Sequence, residues 1–281
     1  MPLASLLTFG LLALPQSPTV DPPAVSNPYA RVAWITLNQG VDDNDTAHRK
    51  QAIEATGTVG STPEAVKLVA KGLQDKDVLN RQTAASTLGQ MGSQDAIPYL
   101  KNALEDKPEV AFTAAQALWS LGDTTGRTIF QEVLEGERPG GPTTMQKAMR
   151  NAKKRLKPEQ LALMGVSETA GMLGPAGIGV RAVEEALKEV KGGSSGIPGR
   201  AVAAEVLGKD ADPYALTLLE WALGDGNWAV RVSVCKALGE RGNVGTIAKL
   251  QPMLNDDHHA VRYMAAASMV KLSLKAPSAS R

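Results

Sequence analysis

Imidazole and thiol chemistry has few places to sit in this chain of 281 residues: His48, His258 and His259 are its histidines and Cys235 its one cysteine. The string with the most metal-like character is Asp256-Asp257-His258-His259. Adjacent histidines diverge at a helix start, and no third or fourth donor follows at the spacing metal sites use, so the string reads as a solvated turn. Cys235 falls inside an apolar helical pattern and reads as a buried small hydrophobe rather than a nucleophile. No serine elbow, P-loop or dinucleotide fingerprint occurs; the glycine-rich run Gly171 to Gly179 follows no strand and is a weak phosphate signal. The reading at this point is no catalytic residue, no metal and no cofactor.

Charge concentrates in one segment. Lys147, Arg150, Lys153, Lys154, Arg155 and Lys157 fall within eleven residues, opposite an apolar stripe of Met145, Ala148, Met149, Ala152 and Leu156. Such a basic amphipathic helix either packs by its apolar face with its cations solvated or docks an acidic partner or anionic surface. It carries no aromatic residue to stack bases, and the whole chain has a net charge of +1, so nucleic acid is not an expected partner.

The rest of the chain repeats itself. Leu223 to Arg231 (LGDGNWAVR) recurs as Leu254 to Arg262 (LNDDHHAVR), and Arg81 to Gly92 matches Arg49 to Gly60. Each unit reads as two helices. Ala84, Ala85, Leu88 and Met91 share one face of the first, which Gly92 terminates, and Ala96, Ile97, Leu100 and Leu104 form a stripe on the second. One such hairpin cannot bury both of its faces, so the units must stack. Asp75, Asp106, Asp225 and Asp256 stand just before first helices, where a carboxylate can cap free N–H groups. Arg49, Arg81, Arg200, Arg231 and Arg262 stand about one turn inside them. Stacking therefore predicts a structural ladder in which each guanidinium meets a neighbouring turn; a row of arginines for an anionic ligand is the alternative.

The pattern Leu-x-Asp-x-x-x-x-Val-Arg, then Ala-Ala, Leu-Gly, Gly, Ala-Ile-Pro and Leu, resembles HEAT repeats, particularly the short type also seen in phycobilin lyases. The resemblance implies an all-α superhelix, a HEAT-like solenoid of about seven helical pairs with an irregular central section. It says little about function, since such arrays mostly serve as protein-binding scaffolds. Deoxyhypusine hydroxylases are HEAT-like enzymes with a di-iron site of His-Glu pairs, and that reading is excluded here because no His-Glu dipeptide occurs.

The expected organisation is a leader and Pro-rich linker over 1–27, repeats over 28–135, an irregular section with the basic helix and a degenerate repeat over 136–199, repeats over 200–273, and a tail over 274–281. The apolar run Leu3 to Leu14 reads as a cleavable export signal, which makes the protein periplasmic or secreted if it is removed and cytoplasmic otherwise. It is too short to span a bilayer. The expected function is a monomeric, non-catalytic scaffold that binds a protein or peptide along its concave face. Lys67, Tyr99, Lys101, Glu220, Lys249 and Gln251 would project from the second helices for that purpose. Bilin lyase-like or other cofactor chemistry, and surface attachment through the basic helix, are the alternatives.

Overall fold

The computed structural model describes residues 20–23, 27–135 and 197–275. The protein is an all-α superhelix of stacked helical pairs, with no strand among the described residues. The helices are α1 (Pro28–Val41), α2 (Thr46–Gly57), α3 (Pro63–Lys71), α4 (Val78–Met91), α5 (Ile97–Asn102), α6 (Pro108–Ser120), α7 (Arg127–Glu135), α8 (Ile197–Lys209), α9 (Pro213–Ala222), α10 (Trp228–Arg241), α11 (Ile247–Leu250) and α12 (His259–Lys275).

Local sequence sets their ends. Asp77 caps α4 by accepting from the N–H groups of Leu79 and Asn80, and Asn227 caps α10 by accepting from Ala229. Gly92 and Gly242, which end those helices, take left-handed φ values of 69° and 84° that a β-carbon would oppose. The second helices α3 and α9 begin on proline behind a capping side chain: Thr62 before Pro63, Asp212 before Pro213. The first helices bury an alanine and leucine stripe, with Ala84, Ala85, Leu88, Ala114, Ala115, Leu118, Val234 and Leu238 fully enclosed. Small residues allow close approach. A Cβ on Gly89 would lie 2.8 Å from that of Ala117 on the next first helix, and one on Gly239 would lie 2.7 Å from that of Ser268.

Along the chain first and second helices alternate, α2 then α3, α4 then α5, α6 then α7, α8 then α9, and α10 then α11; α3, α5, α9 and α11 each pack on the first helix that follows. The sixth pair is assembled from the two ends of the chain. α12 packs on α10 along one side and on α2 along the other, in line with the first helices. Its second helix is α1, which lies along α12 and α2 and touches residues 251–255 on one side and α3 on the other. First helices therefore stack in the order α8, α10, α12, α2, α4, α6, and the C-terminal repeats precede the N-terminal ones. Chain order alone suggests that the outermost repeats cap the array; instead α1 and α12 meet in its middle. The cause is burial. Val261, Ala265, Ala266, Met269 and Leu272 of α12 and Trp34 and Leu37 of α1 leave almost no surface in water, and they share one continuous core.

Part of the segment before α1 packs on that helix. Val20 is buried against α1: its N–H donates to Asn38 Oδ1 at 2.9 Å, and its carbonyl accepts from Trp34 Nε1 at 2.9 Å.

Candidate functional site

Two sets of polar side chains stand out, one repeated along the stack and one unique to the seam between α12 and α2. In the repeated set Arg49 Nε donates to Asp75 Oδ2 at 2.6 Å and Nη2 to Oδ1 at 2.9 Å. Arg81 holds Asp106 at 2.6 and 2.8 Å, and Arg231 holds Asp256 at 2.7 and 2.7 Å, by the same two-pronged geometry. Arg200 pairs with Asp225. The remaining Nη1 donates back to the turn preceding its own helix, to Asp43 O from Arg49, Asp75 O from Arg81 and Asp225 O from Arg231. These aspartates are not the helix caps the sequence suggests. The caps of α2, α4 and α10 are Asp45, Asp77 and Asn227, whereas Asp75, Asp225 and Asp256 each accept an N–H two residues on and turn the free edge of the carboxylate to the arginine. Burial pushes the Asp75, Asp106 and Asp256 carboxyls up, and the arginine and backbone hydrogen bonds outweigh it, leaving each below the usual carboxylate range.

The stacking order assigns Arg262 of α12 to Asp43, the aspartate before α2, and at this position the rung is missing. No ion pair joins Arg262 to a described carboxylate. Asp43 Oδ2 instead lies 3.4 Å from His48 Nδ1, and the His48 ring stacks on that of His259 with centroids 3.5 Å apart and planes inclined by 19°. His259 Nδ1 in turn lies 3.4 Å from the Tyr263 hydroxyl. Donor atoms of Asp43, His48 and His259 all lie within 4.8 Å of one another, the one such group of three or more among the described residues.

Each member is held by its element. His48 stands in the first turn of α2, which Asp45 caps through the N–H groups of Ala47 and His48. Those bonds hold the Asp45 carboxyl below its usual range. The Asp43 turn is fixed by Arg49 on its carbonyl and by its own side chain, which accepts from Asp45 N–H at 2.8 Å. Tyr263 is buried against α1 where Gly40 leaves room, since a Cβ there would come within 2.5 Å of Tyr263 Cε1. Burial pushes the Tyr263 phenol up to about 12, with Asp43 acting in the same direction. Burial pushes His259 down, reinforced by the charges of His48 and Arg262, so its imidazole is held toward the neutral form that accepts protons or binds metals. His258 is not part of the group and stacks on Trp228 with centroids 4.7 Å apart.

The chemistry-bearing residues missed in the sequence are thus Asp43 and His48 as companions of His259. Their separation along the chain hides them; the signal available was the register that aligns Asp43 with Asp75 and leaves Arg262 without an aspartate after it. Cys235 is fully buried and its thiol is pushed up by burial, which suits the packing role. Lys67, Tyr99, Lys101, Glu220, Lys249 and Gln251 all lie on the second-helix layer and are not brought together into a site; Lys101 pairs with Asp123 at 2.9 Å. Lys147, Arg150, Lys153, Lys154, Arg155 and Lys157 lie outside the described residues, as does the apolar run Leu3 to Leu14. Among the described residues no helix is long and apolar enough to cross a membrane.

A stack of helical pairs with an arginine–aspartate ladder defines an α-helical repeat protein. The family model for HEAT repeats matches residues 36–138 and 183–271, and the chain belongs to the HEAT repeat family. Among curated proteins it is similar to deoxyhypusine hydroxylase of Aspergillus clavatus, 39% identical over 87 residues, covering 28% of this chain and 26% of that protein. The enzyme of the same name from Neurospora crassa is 37% identical over 87 residues, 28% of this chain and 27% of that protein. The chain therefore spans about a quarter of the length of the curated relatives it matches. Among solved structures it is similar to human deoxyhypusine hydroxylase in complex with glycerol, at 19% identity and a TM-score of 0.31, covering 87% of this chain and 96% of that one. It is also similar to the complex of CpcE and CpcF of phycocyanin lyase from Nostoc sp. PCC7120, at 18% identity and a TM-score of 0.33, covering 92% and 99%.

These relatives correct the functional expectation. A non-catalytic scaffold, and a chain that is no enzyme, do not stand, because the curated relatives are enzymes. The physical reason for the error is that repeat periodicity reports packing and is silent on chemistry.

Proposed function

We propose that the chain is a HEAT-repeat enzyme whose reaction centre is the seam cluster of Asp43, His48, His259 and Tyr263. The observation that carries this reading is the convergence of two imidazoles and a carboxylate, from opposite ends of the chain, at the one junction where the structural ladder is replaced. The kinship with enzymes supports it. Two imidazoles, a carboxylate beside one and a phenol beside the other suit proton transfer to and from a bound substrate. His48 and Asp43 keep partial access to solvent, with 29% and 27% of their side-chain surface exposed, so a substrate can approach over the turns before α2 and α12.

The relatives' name supplies the first substrate to assay, deoxyhypusine. A di-iron centre of His-Glu pairs does not fit this chain: His48 is followed by Arg49, His258 by His259 and His259 by Ala260, and the three donors at the seam are too few for two ions. No step of the reaction is assigned to such a centre. Mass spectrometry of a deoxyhypusine-containing protein incubated with the full chain, iron(II), a reductant and dioxygen tests the reading. The expected result is a gain of one oxygen atom that His48→Ala and His259→Ala each abolish while His258→Ala does not; absence of product with the unaltered chain contradicts it.

A further inference from the structure

We propose that Asp43, His48 and His259 form a mononuclear site for a divalent first-row transition-metal ion. The inference deepens the reading of the seam as a reaction centre and rests on it for the ion's purpose, though the site itself stands on geometry. Two imidazoles and one carboxylate are a donor set suited to zinc, iron, cobalt or nickel; magnesium and calcium, which need several oxygen ligands, are poorly served by a single carboxylate. The donor atoms already lie within 4.8 Å of one another.

The site is built into the fold. Everywhere else in the described ladder the aspartate before a first helix neutralises an arginine of the preceding repeat, but Asp43 turns its side chain to His48 and the guanidinium of Arg262 makes no ion pair with a described carboxylate. Giving up that rung leaves one carboxylate oxygen available beside two imidazoles. The turn that carries Asp43 is fixed from behind by Arg49, which donates to the carbonyls of Asp43 and Asn44 at 3.0 Å each. The Tyr263 hydroxyl at 3.4 Å is placed to orient the His259 ring, the kind of outer-shell support that ligating histidines use. The rings stack without the ion, and coordination requires one to turn about its Cβ–Cγ bond, a torsion with a broad and shallow profile. Three protein ligands leave coordination positions for water or substrate, as catalytic rather than structural ions require.

Isothermal titration of the full chain with cobalt(II) and zinc(II), with the visible absorption of bound cobalt as a second readout, tests the site. One ion per chain is expected. His48→Gln, His259→Gln and Asp43→Asn should each weaken binding by more than about 100-fold, beyond the loss that removing a supporting partner causes. His258→Ala, which alters the neighbouring histidine outside the cluster, should leave affinity unchanged, and circular dichroism verifies that each variant is folded. No ion bound by the unaltered chain, or equal affinity in the folded His259→Gln and His258→Ala variants, overturns the site. The two readings separate cleanly: a bound ion without turnover of deoxyhypusine removes the proposed activity and leaves the site, whereas turnover unaffected by a chelator removes the site and leaves the activity.

Discussion

The Arg49 and Asp75 side chains are 8% and 4% exposed, so their pairing is an interior interaction between repeats rather than a surface ion pair. Removing one member leaves the other charged and desolvated, which is why Arg49→Ala is expected to cost about 3–5 kcal/mol, with Arg49→Lys between the two because an ammonium cannot grip both oxygens. Urea denaturation reads this directly, and a loss under about 1 kcal/mol, the level of a solvent-exposed pair, would show the ladder to be ornamental. The same pairs set the acid response. Asp75, Asp106 and Asp256 are held below the ordinary carboxylate value in the folded chain. Their contribution is therefore complete above about pH 4, the unfolded value, and is lost as pH falls through the lower folded values. The urea midpoint should drop as pH falls below about 4, and Arg49→Ala should remove part of that drop. The ladder was legible in the sequence because it recurs with the repeat. The seam cluster was not, since His48 and His259 are over two hundred residues apart and the string that holds His259 contains neither of its partners.

At the level of the helix, identity came from spacing and termination. The alanine and leucine stripe of Arg81 to Gly92 predicts a first helix ending at glycine, and α4 runs from Val78 to Met91 with Gly92 in the left-handed conformation. Leu88 of α4 and Leu238 of α10, one in each repeat set, are wholly buried. Leu88→Ala or Leu238→Ala should each cost about 2–5 kcal/mol by opening a cavity that close-packed neighbours fill only in part. A neutral result for either in chemical denaturation would contradict the core assignment. Reading the aspartates before first helices as caps went astray by two residues. Asp45 and Asp77 supply the caps and leave Asp43 and Asp75 to face outward from the turn. Sequence spacing locates the turn; only the fold decides which of two nearby carboxylates bonds to the helix and which to the neighbour.

For the molecule as a whole, the decisive feature is that one repeat is shared between the ends of the chain. α12 supplies its first helix and α1 its second, and the cluster of Asp43, His48, His259 and Tyr263 forms where that repeat meets α2. Periodicity revealed that the units stack but could not reveal in which order, because a repeat pattern is the same whichever unit comes first. The buried surface of α1 and α12 settles the order and makes the two repeat sets depend on one another. The most direct measurement is complementation of two separately produced fragments, residues 20–135 and residues 197–275, followed by titration with cobalt(II). The account predicts that the fragments associate one to one, and that only the mixture, not either fragment alone, binds a single cobalt ion with loss of binding on His259→Gln. Fragments that stay apart, or a C-terminal fragment that binds the ion unaided, would contradict it.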